Sequence, residues 1–229
     1  MGAPSYTPIA ALQGEIGTSS VRSRDMRTKI SYVKHVLEGN NQLLRAVFEE
    51  MFLNGKNMRI IKIIKEYKEN LNIRTLEQIK SMSAEDIRRR VNKFENERWI
   101  EEVLRRTTLE LYKQKTEIKE EAFYDNTWES VLVFRARTNT LNLNWRNRFS
   151  NGDITCKICN SGDEETLKHF ICECLTTLEL RQESGINNYS LEEILLFKGE
   201  NTKEKVQIVK TYLRKIWRDR KRKVEEITN

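Results

Sequence analysis

The stretch CKICNSGDEETLKHFICEC, residues 156–174, interrupts an otherwise helical pattern, and its reading decides how the fold divides. All four cysteines and one of the two histidines of the chain lie within it. The CxxC of Cys156 and Cys159 places two thiolates on one tight turn. His169 and Cys174, about a helical turn apart, can close a tetrahedron around Zn²⁺. Cys172 competes for that place, because on a helix beginning near Glu165 it also faces the metal three residues after His169. Disulfides are the rival explanation and fit poorly: nothing marks the chain as secreted, and a CxxC bridge does little to staple a fold. Four protein ligands leave zinc no open position for water, and no nearby glutamate is placed as a general base. The expected role of the metal is therefore structural, giving folding energy to a segment too small for a core of its own.

Outward from this segment the chain reads as helix. From Val21 to Leu37 the apolar residues Met26, Ile30, Val33 and Leu37 recur at spacings of three and four. Residues 42–53 predict a second helix after a break at Asn40 and Asn41. Residues 57–70 predict a third, with Ile60, Ile61, Ile63, Ile64 and Tyr67 available to a core. Ser83 and Asp86 read as an N-cap and acidic first turn opening a long helix expected to reach Lys115. Thr127 to Arg137 is another helix. The following TNTLNLNW, residues 138–145, suggests an extended loop or short strand. Ser190 caps a short helix, and residues 202–226 form the last, with Val206, Val209, Leu213, Trp217 and Val224 on one face and Lys210, Arg214, Arg218 and Lys221 on the other. The fold class is mostly α: a helical bundle, then a small CCHC zinc-binding module and a basic C-terminal helix, divided as 1–125, 126–183 and 184–229.

Composition agrees. Charged residues make up 33% and hydrophobic ones 38%, and nine Gly with two Pro are too few for a turn-rich sandwich or barrel. No apolar run approaches the ~20 residues needed to cross a bilayer. No short apolar block with a small-residue cleavage site opens the chain, and Tyr6 stands where N-myristoylation needs Ser or Thr. An intracellular protein of cytoplasm and nucleus, without a membrane partner, is the expectation. The net charge of +7 is unevenly spread: residues 18–34 sum to +4, 130–150 to +4 and 201–229 to +6, while 151–183 sum to −4. Basic patches are the footprint of polyanion binding, since each Lys or Arg at a phosphate releases a condensed counterion. A solvated helix face is the plainer reading of any one of them.

The segment SVLVFRARTNTLNLNWRNRF and the CCHC stretch after it resemble the C-terminal region of non-LTR (LINE-type) retrotransposon reverse transcriptases. There an F-x-x-R-T helix precedes a C-x-x-C … E-T-L-x-H-x-x-x-x-C zinc module. The resemblance implies Cys156, Cys159, His169 and Cys174 as ligands, Cys174 because the last cysteine of that module lies five positions after the histidine. The N-terminal GAPSYTPIAALQGEIGTSSVRSRDMRTKISYVKH is similar to the segment after the polymerase thumb, and KTYLRKIWRDR to the closing helix. The paired-aspartate palm motif, the fingers and the endonuclease are missing. The chain thus looks like a C-terminal fragment that is no enzyme by itself, with the polymerase core of a parent element as partner.

The family implies a role in holding template RNA or target DNA during target-primed reverse transcription. The zinc module is acidic and a poor phosphate clamp, so the expected grip lies before it. Arg135, Arg137, Arg146 and Arg148 would contact phosphates, and Trp145 or Phe149 would stack a base for ~1–3 kcal/mol. Lys210, Arg214 and Arg218 on the last helix form a second candidate grip. Core packing is the other reading of Trp145, pairing with the acidic module that of Arg135 and Arg137, and docking on a partner or acidic membrane that of the last helix. Two other functions compete: a helical protein-interaction scaffold with a purely structural zinc, and a zinc hydrolase, which would need an open metal position.

Overall fold

A computed structural model describes residues 4–5, 7–55, 58–197 and 202–228. Tyr6, and Asn57 at the expected start of the third helix, lie outside the described residues. The fold is mostly α. The helices among the described residues are α1 (Ile9–Ile16), α2 (Val21–Glu38), α3 (Gln42–Asn54), α4 (Arg59–Asn70), α5 (Leu76–Ser81), α6 (Ala84–Leu104), α7 (Trp128–Arg137), α8 (Leu178–Glu183), α9 (Leu191–Leu195) and α10 (Thr202–Thr228). In place of strands, the described residues hold a single antiparallel bridge between Thr155 and Glu164. No helix among them is long and apolar enough to cross a membrane.

By contacts the chain divides differently from the three segments expected from the sequence. One unit takes residues 16–102 and 116–119; the other takes 1–15, 103–115 and 120–229. The divided unit arises because Glu15, at the end of α1, is held by residues more than a hundred positions later, a pairing that no sequence window displays.

The unit of residues 16–102 has its own core, built as the periodicity requires. Ser20 caps α2 by accepting from the Ser23 amide, and Met26, Ile30, Val33 and Leu37 are all buried. Ile61, Ile64 and Tyr67 of α4, Ile79 of α5 and Ile87 and Val91 of α6 complete the cluster. Ile60 faces solvent instead, a quarter turn away from the buried row. Much of the basic charge of residues 18–34 is answered here: Arg22 pairs with Glu66, Lys29 with Asp25 and Lys34 with Glu38. Arg24 and Arg27 of that patch stay exposed.

The long helix does not reach Lys115. It ends at Leu104, and a 3₁₀ segment, Thr107–Gln114, follows, kinked at Leu109 (φ −104°, ψ 37°). Two adjacent β-branched residues, Thr107 and Thr108, weaken helix continuation there. The kink brings Leu109, Leu111 and Tyr112 inward, which one straight helix face would not do.

In the other unit, α7 packs on α10. Leu132, Val133 and Ala136 meet a face of α10 made by Val206, Val209, Tyr212, Leu213, Ile216 and Trp217. Thr127 caps α7, and Ser190 with Glu193 forms a complete capping box on α9. Residues 138–145 form no strand: Asn139 turns the chain at φ 53°, yet Leu141 and Leu143 still alternate into the core.

Candidate metal centre

Cys156, Cys159, His169 and Cys174 converge, each offering a donor atom within 4.8 Å of the others. Local structure explains why. Around the bridge, the Cys156 amide donates to the Asp163 carbonyl (2.8 Å) and the Glu165 amide to the Ile154 carbonyl (2.9 Å). These bonds pin both ends of a loop whose tip turns at Asn160 (φ 53°) and Gly162 (φ 81°). The first two thiols sit on that loop.

The other two donors come from a π-turn, His169–Glu173, closed by the Cys174 amide donating to the His169 carbonyl. On an α-helix, residues five apart lie about 140° around the axis from one another. The wider i→i+5 turn brings His169 and Cys174 to one side. It also decides between Cys174 and Cys172. An α-helix would favour Cys172 at i+3, whereas here Cys172 packs against the apolar core and stands outside the donor cluster.

The donor set fits a tetrahedral metal. Bonds of about 2.3 Å to sulfur and 2.0–2.1 Å to nitrogen imply S···N edges of about 3.5 Å, and Cys159 Sγ lies 3.4 Å from His169 Nε2. The other ring nitrogen, Nδ1, has the Asp163 carboxylate 3.9 Å away, on the side where a carboxylate orients a ligating imidazole. All four cysteines are free. A hydrogen bond to Cys174, with burial, pushes the Cys156 thiol up to about 12, and the same bond lowers Cys174. One thiol thus already leans toward thiolate, and a cation completes the deprotonation.

The module is no free-standing knuckle. Leu167, Phe170 and Ile171 enter the core of α7 and α10, with the Phe170 ring edge-on to Trp217 at 6.0 Å. The fully buried Glu165 carboxylate takes two 2.7 Å bonds from the Arg220 guanidinium and one of 2.6 Å from the Asn144 amide. An arginine does pair with the acidic module: Arg220. Separated by 55 residues, Glu165 and Arg220 carry no local signal of their pairing.

The predicted nucleic-acid residues scatter in burial. Arg137 is 3% exposed; its Nε lies 2.9 Å from Glu15 Oε1 and its Nη2 3.2 Å from Glu121 Oε1, with its charge over the Phe123 ring. It is a core ion and reaches no phosphate. Lys210 is also buried, 2.7 Å from Asp125, so the polar face assigned to the last helix is not wholly polar. Trp145 is a core residue. Arg214 pairs with Glu129 at 3.0 Å and stays partly exposed, Arg218 is exposed, and Arg135 is half-buried. Arg146 donates to the Asn139 carbonyl (3.2 Å). Arg148 and Phe149 are exposed, the guanidinium standing 4.4 Å from the Trp145 ring centre and 5.1 Å from that of Phe149. Trp145 and Phe149 pack edge-on, ring centres 6.1 Å apart, and Arg148 lies against both, so the 3₁₀ segment Asn144–Ser150 carries an Arg–aromatic ridge.

No protein-family model, curated protein or solved structure matches this chain.

Proposed function

We propose that the chain is a zinc-stabilised nucleic-acid-binding region of the kind found C-terminal to the polymerase core of non-LTR retrotransposon reverse transcriptases. It would grip template RNA or target DNA during target-primed reverse transcription, with that core as its protein partner. The observation that carries this reading is the convergence of Cys156, Cys159, His169 and Cys174, in the spacing on which the resemblance rests, within one fold with an exposed Arg–aromatic ridge. Three thiolates and an imidazole suit Zn²⁺ and fill its tetrahedron, which favours a structural metal over hydrolysis.

The grip uses exposed cations together with the half-buried Arg146. Arg148 and Arg146 approach phosphates, Phe149, 75% exposed, stacks an unpaired base, and Arg218 with Lys221 extends the track along α10. The test is zinc stoichiometry together with a salt titration against single-stranded RNA, single-stranded DNA and duplex. Replacing Arg146 and Arg148 with Ala should lower the log–log salt slope on single strands by ~0.7 per lost contact. Phe149→Ala should weaken single-strand binding by ~1–3 kcal/mol while leaving the slope unchanged. An unchanged slope in the double-arginine variant, with zinc still bound, would overturn the assignment.

A second reading, a protein-interaction scaffold with structural zinc, draws on α3, where Leu43, Leu44, Val47 and Leu53 are exposed. It predicts weak, salt-insensitive binding to all three nucleic acids.

A further inference from the structure

The described residues bury three guanidiniums, those of Arg137, Arg181 and Arg220. Two face buried carboxylates: Arg137 faces Glu15 and Arg220 faces Glu165. Arg181, on α8 and 4% exposed, has no carboxylate in ion-pair range among the described residues. Its Nη1 donates to the Cys174 carbonyl (2.9 Å) and to Thr177 Oγ1 (2.6 Å), and its Nε has no hydrogen-bond partner. A buried, unpaired charge is strongly unfavourable, and proteins retain one only where a countercharge or ligand answers it.

Two cysteines stand beside it: Cys172, whose thiol feels the Arg181 charge, and Cys174, whose backbone it holds. The residue whose carbonyl Arg181 holds is a metal donor, itself fully buried. A divalent cation with three thiolates and a neutral imidazole carries a net charge of −1. A Cys₂His₂ site would be neutral and a Cys₄ site would carry −2, so one guanidinium matches the Cys₃His set. Tyr212, also fully buried, donates to the Ile171 carbonyl (2.6 Å) and Thr177 to that of Cys174 (3.0 Å), so the π-turn is gripped from the side where the guanidinium lies.

We propose that Arg181 is a positioning and charge-balancing residue for the metal centre, holding the Cys174 backbone while its cation neutralises the surplus negative charge of a Cys₃His-bound divalent ion. This rests on the metal reading of the centre. Cys156, Cys159 and Cys174 would bind the cation as thiolates, their remaining protons leaving to solvent, and the anionic centre would give the guanidinium a countercharge. Arginine and metal then stabilise each other reciprocally.

The test is Zn²⁺ affinity of the full chain, measured by competition with a chromophoric chelator, with circular dichroism to monitor folding. Arg181→Met, which keeps length and removes charge, should weaken zinc binding about tenfold or more. Arg181→Lys, which keeps the charge but not the planar fork, should lose less than about tenfold. The discriminating background is Cys159→His, at the half-buried donor, where the centre becomes neutral. There Arg181→Met should cost clearly less than in the original background, because only its hold on the Cys174 backbone remains to be lost. Equal penalties in the two backgrounds would make Arg181 merely structural and overturn the proposal, as would an unchanged affinity for Arg181→Met. If Arg181→Met does not fold, Arg181→Lys decides, and a tenfold loss there overturns the idea. An original chain that takes up no zinc would fail the metal reading itself, an outcome distinct from these.

Discussion

At the residue scale, the spacing of Cys156, Cys159, His169 and Cys174 was legible because metal ligation limits which residue types can serve and how far apart they sit. The choice of Cys174 over Cys172 was not legible from helical geometry, since it depends on a π-turn closed by one backbone hydrogen bond. Cys174→Ser should therefore abolish stoichiometric zinc binding, while Cys172→Ala leaves one zinc per chain, as measured by elemental analysis after gel filtration. The protonation of the thiols sets the direction of the pH dependence. With its bond to Cys174 and burial raising the Cys156 thiol to about 12, ligation of a cation must displace its proton, so zinc affinity should rise with pH and fall as pH drops. Calorimetric titrations in two buffers of different ionisation enthalpy should show protons released on binding. An affinity independent of pH between about 6 and about 8 would contradict thiolate ligation.

At the element scale, patterning named most of the helices among the described residues, missed α1, α5 and α8, and misjudged two of those it named. The row Met26, Ile30, Val33 and Leu37 predicted α2 and its buried face, because a 3.6-residue period reports directly which side meets a core. Chain beyond Leu104 kept a helical composition but kinked to bury Leu109 and Tyr112. On α10, Lys210 and Arg220 look like surface cations and are buried against Asp125 and Glu165. A long side chain enters a core when a carboxylate from another element waits there, and nothing within α10 records that. The pair Arg220–Glu165 fastens α10 to the metal module. Arg220→Met should cost about 3–5 kcal/mol by leaving Glu165 buried and unpaired, whereas adding Glu165→Leu should recover much of the loss. Urea denaturation of both variants measures it. A single variant as stable as the original would show that the pair does not clamp the helix.

At the scale of the whole molecule, two cores form separately. One joins Met26 to Val91; the other joins α7 and α10 to Cys156 and Cys174. Only the second contains the metal donors. Chelation should therefore lower the denaturation midpoint of one transition and leave the other in place, and a fragment of residues 16–104 should unfold cooperatively with no response to chelator. Calorimetry with and without chelator distinguishes this from a single metal-dependent transition. The sequence by itself determined the helical class, most helix positions and three of the candidate metal donors, Cys156, Cys159 and His169, because each of these is written in short-range spacing. The tertiary structure alone decided which charges are surface. Of four arginines read as one basic patch, Arg137 lies in the core against Glu15 while Arg148 stands exposed beside Phe149. Both carry the same charge in the sequence, and what separates them is desolvation, which depends on neighbours brought from distant parts of the chain.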